Sequence, residues 1–135
     1  MACFLVPATE AIVATVIRKA MEAKGVKPEK VKLNRDGRIE TAEKLPFTHK
    51  LKWLTNLLWG GSALLAFEHV WHGEVVPWFP FLTAAADPAD AAEMLHEMST
   101  VGVTMAVLIT VVWLGMLAVS GAMENRALKP QAAKN

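Results

Sequence analysis

Glu68, His69 and His72 stand within five residues of one another, and Glu93, His96 and Glu97 within another five. On a helix, residues three or four apart share a face. Glu68 therefore pairs with His72, and His69 with His72, while Glu93, His96 and Glu97 spell ExxHE on a second face. Imidazole and carboxylate groups in such sets suit a transition metal, and the candidate ligands are Glu68, His69, His72, Glu93 and His96. A Glu-x-x-His pair also serves di-iron carboxylate bundles, which use four helices and so need at least a dimer of this chain. His69, His72 and His96, facing one another across two helices, would instead hold a haem. Met94 and Met98 beside His96 add soft thioethers, which suit copper(I). Glu68, the deepest carboxylate, is the natural group for a proton or ion path. A plainer account needs no ligand at all: a polar and aromatic exit from a membrane, with ExxHE on a solvated helix turn.

Which elements would position these groups follows from where charge is missing. Between Lys52 and Glu68 lie 15 uncharged residues, WLTNLLWGGSALLAF, and between Glu97 and Glu124 lie 26. Crossing about 30 Å of hydrocarbon takes about 20 mostly apolar residues. The second run meets that length; the first does so only by continuing through Glu68 to about His72. Buried helices of a soluble protein are the other source of such runs, but runs this long are rare there. The expected fold is therefore an all-α membrane protein: a two-span transmembrane helical hairpin, with an N-terminal amphipathic helix and a short basic linker. Its segments are residues 1–25 (the amphipathic helix, on the cytoplasmic face), 26–45 (linker), 46–74 (first span), 75–87 (external aromatic loop), 88–123 (second helix, in the membrane from about 98) and 124–135 (cytoplasmic tail).

Orientation follows from the basic residues. All 14 Lys and Arg lie outside the stretch between the two runs: 11 from Arg18 to Lys52, and Arg126, Lys129 and Lys134 after the second. The intervening stretch holds six acids and no base. Basic residues mark the cytoplasmic side of a span, so both termini are expected inside and the loop outside, a layout that suits a bacterial cytoplasmic membrane. The basic segment itself, with 11 basic and 5 acidic residues, reads as that topology signal rather than as a nucleic-acid site.

Within this frame Val13, Val16, Ile17, Ala20 and Met21 form an apolar stripe on a helix from Ala8 to Lys24 that Gly25 ends. A short, N-outside span over residues 4–17 ranks lower, because Pro7 and Glu10 are costly in hydrocarbon. Val31 and Leu33, the NRDG stretch and Ile39 resemble a small hairpin. Pro46 lies near the start of the first span, and Asn56 inside it can reach across to the second. In the loop, Trp78, Phe79 and Phe81 serve as an interfacial anchor or dock on another subunit. Asp87 is an N-cap and Pro88 the first helical residue. Gly102 and Ala106 on the second helix form a small-xxx-small pair for close helix contact, within the hairpin or with a second copy.

Counted from the cytoplasmic boundary, His72 stands roughly 30 Å up and His96 roughly 37 Å, a mismatch of about a turn and a half. The single Cys3 excludes an internal disulfide and a cysteine-based metal cluster. No phosphate-binding loop, nucleophile elbow, dinucleotide glycine pattern or zinc-protease motif occurs, and the chain does not read as an enzyme. The expectation is a non-catalytic accessory or scaffold subunit that contacts the bilayer and other membrane subunits or itself. The alternatives are a redox anchor holding haem or metal through histidines near the outer face, and a small proton- or ion-conducting oligomer.

Overall fold

The structure, a computed structural model, describes residues 2–28, 30–35 and 38–132. It is a helical protein with one two-stranded ribbon. In chain order the elements are α1 (Leu5–Ala23), β1 (Lys30–Arg35), β2 (Arg38–Glu43), α2 (Phe47–Trp71), a 3-10 turn (Thr83–Ala86), α3 (Pro88–Glu97), a π-helical turn (Met98–Gly102) and α4 (Val103–Ala132). The strands are antiparallel, with Lys30 opposite Glu43 and Arg35 opposite Arg38. Asp36 and Gly37 of the NRDG stretch lie outside the described residues.

Helix α3, the π turn and α4 run on as one helix. Pro88–Ala127, 40 residues, is long and apolar enough to cross a membrane, and among the described residues it alone is. The expected first span falls short by composition. Its uncharged core is shorter, and Thr55, Asn56, Ser62 and two glycines dilute it. Asn56, expected to reach the second span, is exposed.

The start of α3 is set locally. The Asp87 carboxylate accepts from the Ala89 N–H at 2.8 Å, and Pro88 fills the first helical position, where a missing N–H costs nothing. Asp87→Ala is expected to cost about 1 kcal/mol, read as a lower thermal midpoint in detergent, whereas Asp87→Asn leaves it nearly unchanged. At the π turn, the Ser99 and Thr100 hydroxyls both donate to the His96 carbonyl, at 2.9 and 2.8 Å. Such side-chain competition for helix carbonyls accompanies the extra residue in the turn, which rephases the helix below it.

The three long helices pack lengthwise. Helix α2 is antiparallel to both others: Cys3 meets His69, Trp59 Nε1 donates to Thr15 at 3.1 Å, and Lys50 meets Glu124. Their shared core is Ala11 and Ala14 of α1, Leu51, Leu54 and Leu58 of α2, and Trp113 of α4. Small residues on α1 let the helix backbones approach closely. At the other end Ala2, Ala84 and Met94 form a second cluster, joining the start of α1 to the 3-10 turn and α3.

Helix α1, expected on the cytoplasmic face, packs along the length of the bundle. Helix α1 lies beside the other two, with its N-terminal end against His69, so the start of α1 and the end of α4 sit at opposite ends of the bundle. Pro7 and Glu10 both fit this packing. Pro7 falls in the first helical turn, where its absent N–H has no partner to lose. The Glu10 carboxyl meets the Thr110 hydroxyl at 2.7 Å. Of the expected stripe, Val13, Val16 and Ile17 are exposed, and the face that packs within the bundle is Pro7, Ala11 and Ala14.

Candidate functional site

Helix α2 ends in a way that builds the site. Gly73, at φ +73°, adopts the left-handed conformation that ends helices with little strain only when no Cβ is present. Its N–H reaches the Val70 carbonyl at 3.0 Å, and the Glu74 N–H reaches the His69 carbonyl at 2.9 Å. This paired closure turns the chain back on itself and places Glu74 over the last turn of α2.

The result is a cavity of about 230 Å³ lined by Cys3, Leu65, Glu68, His69, His72, Glu74 and Met105. Its centre is His69, a buried side chain. His69 Nδ1 lies 2.6 Å from the Leu65 carbonyl, which can only accept, so Nδ1 carries the proton. Cys3 Sγ stands 3.3 Å from Nε2, within hydrogen-bond distance. The Glu74 carboxylate is 3.7 Å from the same nitrogen, and the Phe4 ring stands edge-on to the imidazole at 5.4 Å.

Of the candidate ligands, Glu68, His69 and His72 line this cavity, with Glu68 and His72 exposed. Glu93 and His96 do not join them. Both are exposed on α3, because Met94 is the residue α3 buries, against Ala2 and Ala84. Among the described residues no three His, Cys, Asp or Glu side chains are arranged to hold a metal ion. The ring nitrogen of His69 that a haem would need faces Cys3 instead. Chemically, the arrangement brings together a thiol, an imidazole with one nitrogen held by a backbone carbonyl, and a carboxylate.

No family model, curated protein or solved structure matches this chain. The site therefore stands on its own geometry.

Two further polar contacts lie along the bundle. Midway, Glu10 meets Thr110. At the basic end Lys50 Nζ lies 3.3 Å from Glu124, Ser120 also approaches Glu124 at 3.3 Å, and Trp113 Nε1 donates to the Lys50 carbonyl at 2.8 Å. Each contact ties two helices or steadies one that does. Cys3, Glu10 and Lys50 escaped the sequence reading as site residues because each partner is at least 63 residues away. A lone cysteine has no spacing to read, and no local pattern couples it to His69.

The expected interface residues divide. Trp78, Phe79 and Phe81 are exposed, on a tongue closed by Val76 N–H to Phe81 carbonyl at 2.8 Å and Thr83 N–H to Glu74 carbonyl at 3.0 Å. Gly102 and Ala106 are buried inside the bundle, with Gly102 against Val6 of α1 and against Cys3, just before it. They serve contact within one chain.

Proposed function

We propose that this chain is a small integral membrane protein in which α2 and α4 are antiparallel spans and α1 is a third helix at the same depth, and that it acts as a non-catalytic accessory subunit docking through its aromatic tongue. The observation that carries the reading is the distribution of apolar surface. Ile12, Val13, Val16 and Ile17 of α1, Leu57, Leu64, Phe67 and Val70 of α2, and Val107, Leu108, Val111, Val112 and Val119 of α4 all face outward. In water that would be one large sticky band; in hydrocarbon it is the lipid face. Meanwhile Thr55, Ser62 and His69 of α2 are buried within the bundle. That explains how α2, of about 37 Å at 1.5 Å per residue, can span despite its modest hydropathy.

Charge supports the orientation. Arg18, Lys19 and Lys24 end α1, Lys50 and Lys52 begin α2, and Arg126 follows the apolar part of α4, all at one end of the bundle. By the positive-inside rule that end is cytoplasmic. The start of α1 then lies outside with His69, the tongue and α3. The tongue exposes Trp78, Phe79 and Phe81 together, the residue types enriched where subunits dock.

In a Cys3→Ala background, Trp78→Cys should react with a membrane-impermeant maleimide in intact cells. Lys32→Cys should react only after permeabilisation. The reverse pattern sinks the orientation, and release of the chain by alkaline carbonate sinks the membrane assignment. A photo-crosslinker at Phe79 should capture a discrete partner. Purified protein with a haem band or stoichiometric metal would replace the accessory reading with the redox one.

A further inference from the structure

A large apolar groove lies at the end opposite His69. It is a groove of about 780 Å³ between the start of α2 and the last turns of α4, lined by Leu45, Trp53, Gly115, Met116, Val119 and Met123, with Glu124 at its polar end. Gly115 leaves room in its wall: nothing stands within 4 Å of where a Cβ would be. The volume falls within the range of small-molecule sites. Two methionines give its wall adaptable shape.

From the groove and the charge around its mouth, we infer that it holds an acyl chain of an anionic phospholipid, with the phosphate headgroup at the basic end. This rests on the membrane reading above. The walls are apolar along the helices, so the occupant has a hydrocarbon part. Lys50 meets the lining residue Glu124, and Lys50 belongs to the sequence segment from Arg18 to Lys52, which has 11 basic and 5 acidic residues. Strand β1 packs against α4, and exposed Lys32 lies on it. Exposed Arg126 adjoins the lining residue Ala127. The one acid in the groove does not repel an anionic headgroup, because Glu124 is paired with Lys50 at 3.3 Å. Basic pockets between helices on the cytoplasmic side are where anionic headgroups bind. An apolar partner helix would fill the same walls but gains nothing from the charge at the mouth.

The test is native mass spectrometry of the full chain, extracted in mild detergent and supplied with equal phosphatidylglycerol and phosphatidylcholine. Retained phosphatidylglycerol should exceed phosphatidylcholine by about fivefold for each basic residue engaged. Gly115→Leu fills the groove without meeting a neighbour, and leucine is the better helix former, so the fold is kept. It should abolish retention of both lipids. Lys32→Gln with Arg126→Gln should keep retention but lose the preference. Equal retention of the two lipids, or a Gly115→Leu variant that still retains them, overturns the proposal. So does a co-purifying polypeptide that Gly115→Leu displaces while lipid retention stays unchanged. Carbonate extraction of the same samples separates this failure from failure of the membrane reading: a chain that stays in the membrane but shows no lipid preference loses only the groove.

Discussion

Gly102→Ala lowers stability by about 1–3 kcal/mol, and Gly102→Leu by more, because the new side chain has nowhere to go. A Cβ at this position would lie 2.9 Å from Val6 Cγ2 and 3.0 Å from the Cys3 carbonyl oxygen. The valine methyl can move, but the carbonyl belongs to the start of α1 and moves only if the helix does. The site beside His69 depends on that same stretch of chain. The effect is therefore read twice: as a fall in the thermal midpoint in detergent, and as faster modification of Cys3, which is buried in the native protein. Val6→Ala combined with Gly102→Ala should recover part of the midpoint and little of the thiol protection, since the contact with the carbonyl remains. A Gly102→Leu protein whose Cys3 reacts no faster than the native thiol would show that α1 does not close against α4 there.

Lys50→Met has the second large effect, and its value lies in comparison with a double variant. Lys50 and Glu124 keep only 16% and 17% of their side-chain surface exposed. Removing the lysine leaves a carboxylate with little water and no counter-charge, at a cost of about 3 kcal/mol. Replacing both with methionine removes the charge together with the demand for a partner. That protein is expected within about 1 kcal/mol of the native one. The backbone carbonyl of Lys50 still accepts from Trp113 in either variant. A double variant less stable than Lys50→Met alone would mean that the pair is held for attraction rather than to spare each other from isolation.

Much of this architecture is legible in the residue order where the cause is local. The Asp87–Pro88 start of α3, the long apolar helix below it and the basic and acidic ends all follow from neighbours in sequence. The place of α1 does not. The first 17 residues of the chain carry no Lys or Arg, so the positive-inside rule leaves the N-terminal end of α1 unconstrained. Its apolar stripe gathers Val13, Val16 and Ile17, which stay exposed, whereas the side that packs within the bundle is small: Pro7, Ala11 and Ala14. Hydropathy ranks large side chains first, and in a helix bundle with an apolar exterior the closest contacts go to small ones. The candidate site was half legible for a similar reason. Glu68, His69 and His72 share a helix and therefore a period. Cys3 and Glu74 reach His69 only through packing of α1 and the Gly73 turn, while the burial of Met94 keeps His96 away.

The contact between Glu10 and Thr110 spans 100 residues of chain. Ribosomes work from the N-terminus, so the helix bearing this carboxyl is made first and its hydroxyl partner nearly last. Until that partner is made, α1 lacks both the hydrogen bond for Glu10 and the groove beside Gly102 that receives its opening turn. The carboxyl of the first helix thus stays without this partner through most of the chain's synthesis, and Lys50 of α2 meets Glu124 later still.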